Sequence, residues 1–469
     1  MADYKTPGIY IEEVSSLPPS VVSAETAIPA FIGYTETGAP SSAAEADPVK
    51  ISSMLEYTDT FGYGNAEAFT VTLDADDNIT DISPTSALSG FTMYYALKLF
   101  FENGGADCYI VSVGDYTSTI SDTDLKSGLD TLEREDEPTM ILFPDAPAIA
   151  DLDSYYSVYQ QALSQCSDMK DRITLIDTMT YGDSVDTGNT DAITAIDDLR
   201  NKIGTQYLSY GAAYYPWLET IYSYSYEDSG VTISQATRNN SLTPYGGTLA
   251  DYSDTALSTY DSGFTATVRS ALEDEAVTLA PSSAIAGIYT TVDNDRGVWK
   301  APANISLNSV AKTTVKINDS DQASMNVDAT SGKSVNAIRY FSGQGNLVWG
   351  ARTLDGNSSE WRYVSTRRFF AYVEDSLRSS TQWAVFQPND SRTWVALKGL
   401  IRNFLSDLWR QGALTGAKEE EAFFVNLGQG STMTQQDVLD GKLIIEIGMS
   451  VVRPAEFIIL RFSHYVQTT

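Results

Sequence analysis

Histidine is almost absent from this sequence, since His464 is its only one. A Ser-His-Asp or Cys-His triad would have to use that residue, and no serine or cysteine nucleophile motif lies near it. Zinc sites built from several Cys and His ligands are excluded, because the chain has two cysteines and one histidine. The sequence therefore predicts no enzyme of these classes and no cofactor.

Cysteine is equally scarce, and Cys108 and Cys166 cannot staple a fold of 469 residues. Cys108 lies in a predicted strand and Cys166 near the end of a predicted helix, so both are expected to be structural thiols.

The apolar run at 27–34 is far shorter than the roughly 20 residues that span a bilayer. Residues 1–10 lack the basic and apolar regions of a secretory signal, and we expect assembly in the cytoplasm.

Three short motifs are candidate ligand sites. Residues 74–78 resemble a calcium loop, but Ile79 and Thr85 stand where such a loop needs Gly and Glu, so we predict a solvated turn. Residues 293–297 could bind a cation, although a turn held by Asx hydrogen bonds is the favoured interpretation. Residues 343–345 precede a strand rather than a helix, which excludes a phosphate loop.

Basic residues are few: 30 Lys and Arg face 62 Asp and Glu, a formal charge of −32. Residues 1–263 hold 10 of these basic and 41 of these acidic residues and so carry −31, whereas residues 264–469 carry −1. A strongly acidic surface repels nucleic acid and anionic membranes. The asymmetry predicts at least two domains that face different surroundings.

The central part alternates between strand and helix patterns, which indicates an α/β unit with a largely parallel sheet. Predicted strands are Cys108–Val113, Thr139–Phe143, Arg172–Asp177 and Tyr207–Tyr214, and predicted helices are Leu88–Asn103, Asp122–Glu133, Asp151–Ser167 and Thr190–Ile203. Further on we predict a helix at 263–279, a loop at 282–304, a strand at 347–354, and strands at 422–427, 443–452 and 456–463.

Residues 361–414 predict two amphipathic helices separated by Pro388, with Asp390 or Ser391 as the cap of the second. The apolar residues of the second helix recur at 3.6-residue spacing. Another face carries a basic stripe at four-residue steps, formed by Lys398, Arg402, Ser406 and Arg410. The stripe is either a solvated face paired with the chain's own acidic domain or a docking face for an acidic partner. Residues 419–421, all glutamate, alter the local charge, and nucleic acid is the weaker option.

Residues 1–26 read as an arm. Gly8–Val14 is a short strand, and Pro18 and Pro19 follow in an extended linker. The strand could pair with a distant sheet edge of the same chain or with another chain.

Several motifs, in this order along the chain, are similar to those of the contractile tail sheath family, which covers phage tails, tailocins and contractile injection systems. They are YKTPGIY at 4–10, TAIPAFIG at 26–33, NGG at 103–105, DRGVWKAPAN at 295–304, NAIR at 336–339, WGARTL at 349–354, WRYV at 361–364, RR at 367–368, FQPN at 386–389, Trp394 and Gly412-Ala413. Residues 116–262 match poorly, as expected for a variable outer insertion.

The resemblance implies a mixed α+β fold in which a sheath core of helices packed on a sheet carries an inserted α/β outer domain and extended terminal arms. The implied segments are an N-terminal arm at 1–26, the start of the core at 27–60, an acidic outer insertion at 61–263, a tube-proximal core at 264–454 and a C-terminal arm at 455–469. The family's arms join a sheet of neighbouring subunits.

The implied contact residues follow from that picture. Gripping residues are Ile9, Tyr10, Ile11 and Val14 in the N-terminal arm and Ile458, Leu460 and Phe462 in the C-terminal arm, and acceptor residues are Leu443, Ile445 and Ile447. Within this picture, charge and periodicity lead us to predict that Lys398, Arg402 and Arg410 face the tube. The resemblance implies as partners the chain itself or paralogous sheath subunits, an inner tube protein, and baseplate and terminator proteins, with no nucleic acid and no membrane insertion. The alternative is an acidic ligand-binding or surface-layer protein.

Overall fold

The structure, a computed structural model, describes residues 21–179, 190–239, 243–257, 259–457 and 459. The described chain is divided into two compact units. Unit 1 comprises residues 21–24 and Val373–Val452, and unit 2 comprises residues 25–372 and 453–459. Each unit is described separately below.

Unit 2 holds most of the secondary structure. Its strands are β1 Pro29–Thr35, β2 Val49–Ile51, β3 Phe69–Leu73, β4 Ile79–Pro84, β5 Cys108–Asp115, β6 Met140–Leu142, β7 Ile173–Asp177, β8 Gly211–Tyr215, β9 Leu218–Ser223, β10 Val231–Gln235, β11 Gly246–Thr248, β12 Ala276–Leu279, β13 Ile305–Ser306, β14 Val310–Thr313, β15 Val335–Phe341 and β16 Gly345–Val348. Its helices are α1 Met54–Phe61, α2 Met93–Glu102, α3 Asp122–Thr131, α4 Leu152–Met169, α5 Thr190–Lys202, α6 Ala250–Ser253, α7 Ser262–Glu273, α8 Ser282–Arg296 and α9 Asp319–Asn326.

The remaining elements belong wholly or partly to unit 1. They are α10 Val364–Thr381, which begins in unit 2 and continues into unit 1, followed by α11 Ser391–Arg410, α12 Glu419–Ala422, β17 Phe423–Leu427, α13 Gln435–Leu439 and β18 Ile445–Met449.

The core of unit 2 is a nine-stranded sheet in the order β13-β16-β15-β8-β7-β6-β1-β5-β2. The six strands from β15 to β5 pair in parallel, and β2, β16 and β13 add antiparallel edges. Every residue of β1, β6, β7 and β8 is buried, as expected for parallel strands covered on both faces. The predicted α/β unit with a largely parallel sheet is confirmed.

Side chains of β1 alternate between two apolar clusters, one on each face of the sheet. Ile32 belongs to the cluster that contains Leu125 of α3 and Tyr159 of α4, while Phe31 belongs to the cluster that contains Phe100 of α2 and residues of α8. Strand residues point alternately to opposite faces, so one short strand contributes to both layers. The sheet takes strands from three predicted segments, 27–60, 61–263 and 264–454; the outer and tube-facing positions given to those segments stay predictions.

The largest local difference from the sequence prediction concerns residues 282–304, predicted as a loop. Residues 282–296 form α8, and Gly297 ends it with a φ of 88°. Ten residues of α8 are buried, many of them small, so the helix is covered nearly all round and shows no apolar stripe in the sequence. The turn predicted at residues 293–297 is wrong for the same reason, because residues 293–296 complete this helix.

The helix predicted at 263–279 is also corrected, since α7 ends at Glu273 and β12 follows. Val277 and Leu279 are buried in the core with the two-residue period of a strand, so the predicted helix extended too far along the chain. The turn predicted at residues 74–78 is confirmed: Asp74 Oδ1 accepts hydrogen bonds from the backbone N–H groups of Asp76 and Asn78, both at 2.9 Å. Cys108 and Cys166 are free and buried, as predicted.

Asp177 lies at the end of β7, and its carboxylate accepts a hydrogen bond of 3.0 Å from the N–H of Ser282, the first residue of α8. Burial raises its pKa to about 7. An unfolded aspartate has a pKa of about 3.9. The folded chain therefore holds a proton that the unfolded chain has released, and stability decreases as the pH rises toward 7.

We expect the Asp177→Asn variant to lose this pH dependence. Between pH 5 and pH 8 the free energy of unfolding of the wild type should fall by about 2 to 3 kcal/mol relative to that of the variant. Urea denaturation at both pH values measures the difference. Asp59→Asn, at an exposed aspartate of α1, removes the same charge and should follow the wild type. Parallel pH profiles for wild type and Asp177→Asn would contradict the assignment.

Candidate functional site

The two strands of unit 1 form a small antiparallel sheet. Phe423 pairs with Met449, Val425 with Ile447, and Leu427 with Ile445. Within the described residues no third strand joins β17 or β18, so both outer edges of the sheet are open. A two-stranded sheet is marginally stable unless another element packs on it. Helix α11 contacts β17 and provides that support.

The predicted acceptor residues occupy this sheet. Ile445 and Ile447 lie in β18 with half-buried side chains, and Leu443 lies two residues before it. Phe424 and Ile444 add exposed apolar surface nearby. The strand predicted at 443–452 is therefore real but shorter, because after Met449 the chain moves to pair with residues 413–415 instead.

Helix α11 matches its prediction closely. Asp390 caps it, and its carboxylate accepts from the N–H groups of Arg392 and Thr393, both at 3.0 Å. Its apolar side buries Leu397 and Ile401, among other residues. The helix therefore presents its polar face away from the core of unit 1.

The structure divides the predicted basic stripe. Lys398 and Arg402 line a cleft of about 190 Å³ together with the side chains of α12 and β17. Arg410 does not line this cleft and lies within 3.4 Å of Asp407 instead. Ser406 is buried, so it interrupts the stripe.

A glutamate of α12 already pairs with the stripe. Arg402 Nε donates to Glu419 Oε1 at 2.7 Å, and this contact raises the pKa of Arg402. The Arg402 side chain remains 54% exposed, and exposed pairs of this kind contribute little to stability because solvent screens them. Glu419 and Asp407, the partners of Arg402 and Arg410, both lie outside the acidic part at 1–263. Within the described residues the predicted pairing with the acidic domain is therefore not seen at these two arginines, and the docking role stays a prediction.

Residues 22–26, at the end of the predicted N-terminal arm, form what we call its root, and the sequence did not predict how this root attaches to the rest of the chain. In unit 1 the N–H of Val22 donates to Ser380 Oγ at 3.0 Å, and the N–H of Ala24 donates to Ser376 Oγ at 2.9 Å. The two serines stand four residues apart and so lie on one face of α10. That spacing is visible in the sequence, but nothing in it names the partner segment.

In unit 2 the same root is held by an arginine. Arg368 Nη2 donates to the carbonyl oxygen of Thr26 at 2.6 Å, and Arg368 Nη1 donates to Asp293 Oδ1 at 2.9 Å. The side chains of Arg368 and Asp293 are 4% and 2% exposed. Breaking a buried ion pair by removing one partner is strongly destabilising, so Asp293 holds Arg368 in place. Arg368 in turn holds the carbonyl of Thr26.

Several predictions fall on residues outside those that the structure describes. They are the gripping residues Ile9, Tyr10, Ile11, Val14, Ile458, Leu460 and Phe462, the strand Gly8–Val14, most of the strand predicted at 456–463, and His464. Across the described ranges, no group of His, Cys, Asp and Glu could hold a metal ion. None of the described helices has the length and apolar character that crossing a membrane requires.

The sequence of this chain is similar to a known family model and to known proteins. Residues 357–464 match the model of the phage tail sheath C-terminal domain. A putative prophage major tail sheath protein of Pseudomonas aeruginosa (strain UCBPP-PA14) is 30% identical over 182 residues, which cover 38% of this chain and 44% of that protein. A tail sheath protein of Vibrio phage KVP40 is 23% identical over 28% of this chain and 19% of its own length. The alignments thus span less than half of these curated relatives.

Solved structures resemble the chain over nearly its whole length. A chain of the contracted helical sheath of the anti-feeding prophage is 31% identical, with a TM-score of 0.64 and coverage of 98% of this chain and 99% of that one. A chain of the baseplate of the same prophage is 31% identical, with a TM-score of 0.65 and coverage of 99% and 100%. A chain of the contracted PVC sheath complex, an extracellular contractile injection system, is 28% identical, with a TM-score of 0.66 and coverage of 100% and 99%.

Proposed function

Because this chain belongs to the family of contractile tail sheath proteins, we propose that it is a structural subunit that polymerises helically around an inner tube and contracts to drive that tube through a target cell envelope. The observation that carries the proposal is the similarity, at 31% identity and nearly full coverage, to a chain of a contracted helical sheath. The open two-stranded sheet of unit 1 suits such a subunit, since it offers edges to further strands.

Strand addition would connect the subunits. The N-terminal strand with Ile9, Tyr10, Ile11 and Val14, and a C-terminal strand with Ile458, Leu460 and Phe462, would extend the β17–β18 sheet of neighbouring copies. Main-chain hydrogen bonds supply the grip in this mode, and alternate side chains set the register. The half-buried Ile445 and Ile447 would receive those side chains.

The remaining partners follow from the same role. They are an inner tube protein, baseplate and terminator proteins, and further sheath subunits, identical or paralogous. Lys398, Arg402 and Arg410 would face the tube, and the acidic α/β part would face outward in a particle assembled in the bacterial cytoplasm. Contraction would release energy stored at assembly by a rearrangement of packed subunits, without nucleotide hydrolysis.

Electron microscopy of the purified chain at high concentration tests the proposal. We expect hollow tubes with regular helical order, formed either alone or on co-expression with a tube protein. A chain that stays monomeric under both conditions, and that binds a small ligand, would contradict the sheath and favour a ligand-binding or surface-layer protein. Co-expression is the necessary second arm, because a sheath can require its tube as a template.

A further inference from the structure

Glu456 is held by three side chains of unit 2. Arg352 donates to its carboxylate through Nε at 2.9 Å and through Nη2 at 2.5 Å. Asn326 Nδ2 donates at 2.9 Å, and the hydroxyl of Tyr363 donates at 3.2 Å. The Arg352 side chain is 4% exposed, and these contacts hold the pKa of Glu456 below its usual range despite partial burial. Bidentate pairs of this kind are the strong class of charge-assisted hydrogen bond.

The described residues on either side of Glu456 have no comparable attachment. Residues 453–457 lie in neither helix nor strand, and their backbone makes no backbone–backbone hydrogen bond within the described part of the chain. Phe457 and Ile459, which follow the glutamate, are 70% and 76% exposed. One carboxylate therefore ties this segment to unit 2.

From this arrangement we infer that Glu456 anchors the C-terminal arm through its contacts with Arg352, Asn326 and Tyr363. When a neighbouring copy holds the arm strand, tension on that strand is transmitted to the body of the subunit at this residue. The inference rests on the proposed function. A strand seated in another subunit pulls on its own chain, and the pull travels along the backbone to the first fixed point. Because residues 457 and 459 are exposed, that point is Glu456.

The N-terminal arm has a corresponding support in unit 2. The carbonyl of Thr26 is held by Arg368, in the second turn of α10, and Tyr363 directly precedes the first residue of α10. Both supports use a buried arginine, Arg368 for one arm and Arg352 for the other. The supports of both arm roots therefore lie at or next to the start of α10.

The anchor is tested first on the monomer. In Glu456→Gln the side chain keeps its size but loses the charge that Arg352 requires. Chymotrypsin must take the residues on both sides of the bond into its cleft, and Glu456 directly precedes Phe457. Cleavage after Phe457 therefore requires Glu456 to leave its partners, so the rate reports the detached population. We expect cleavage at Phe457, followed by intact-mass spectrometry, to accelerate at least about tenfold in the variant. Glu360→Gln removes the same charge at an exposed position three residues before Tyr363, and this variant should be cleaved at the wild-type rate.

The second part of the test uses assembled tubes. Tubes of Glu456→Gln should form, because the arm strand itself is unchanged, but should fragment under shear that leaves wild-type and Glu360→Gln tubes intact. Unchanged proteolysis of the variant, or tubes as resistant as those of the wild type, would overturn the anchor. Absence of tubes from the wild type itself would count against the sheath function instead, and the proteolysis result on the monomer separates the two failures.

Discussion

Removal of residues 1–20 is expected to abolish polymerisation while the monomer stays folded. Among the described residues, no strand of the nine-stranded sheet precedes Pro29, and the arm root at residues 22–26 remains in the truncated chain. The deletion takes away only the predicted strand at 8–14 and its linker. Each main-chain hydrogen bond lost between subunits costs about 1 kcal/mol, and several are lost at every contact along the polymer. Tubes should therefore disappear altogether.

Two measurements are needed for this result. Thermal unfolding followed by circular dichroism should show a cooperative transition within a few degrees of that of the full chain, and electron microscopy should show no tubes. The double variant Ser15→Gly/Ser16→Gly changes only the linker and should still assemble. Tubes formed by the truncated chain would refute the inter-subunit role of the N-terminal strand.

Charge reversal on α11 is expected to prevent assembly on an inner tube. Arg402→Glu/Arg410→Glu places two carboxylates on a surface where Glu419 and Asp407 already lie within salt-bridge distance of the replaced arginines. Each reversal both removes an attraction toward an acidic partner and adds repulsion, and like charges across an interface cost several kcal/mol. Because the penalty recurs at every subunit, co-assembly with tube should fall by at least about tenfold.

The matched control is Arg134→Glu/Lys312→Glu, which makes the same change in net charge at exposed positions of unit 2. Co-sedimentation with preformed tube protein at low and at high salt measures both variants. The control should co-sediment like the wild type, and the wild-type signal should weaken with salt because exposed charges are screened. Wild-type levels of co-sedimentation by Arg402→Glu/Arg410→Glu would remove the tube-facing assignment of this helix.

Local patterns predict the parts of the fold that have a strong period. The amphipathic α11, with its cap at Asp390, and the strands β5 and β7 lie close to their predicted bounds. Helix α8 does not follow its prediction, because a helix buried nearly all round carries no polar face from which its period could be recognised. The failure is thus a property of burial, and it recurs wherever small side chains let a helix pack on several sides.

The site is harder to predict than the fold for a different reason. Lys398 and Arg402 are recognised from their four-residue spacing, yet the partner of Arg402 stands 17 residues away across a turn. Glu456 and Arg352 are 104 residues apart, and the sequence offers no signal that joins them. Such contacts are created by the tertiary fold, so residue types can be flagged in advance but their pairing cannot.

The open sheet of unit 1 has a consequence for the kinetics of growth. A two-stranded sheet is marginal alone, whereas each added strand stabilises it. If neighbours donate those strands, the first one pairs with a sheet of two strands that α11 supports, and the next one pairs with a sheet that is already larger and more stable. Such linkage makes initiation costly and elongation easy. Polymerisation should then show a lag phase and a sharp critical concentration, and preformed fragments should abolish the lag.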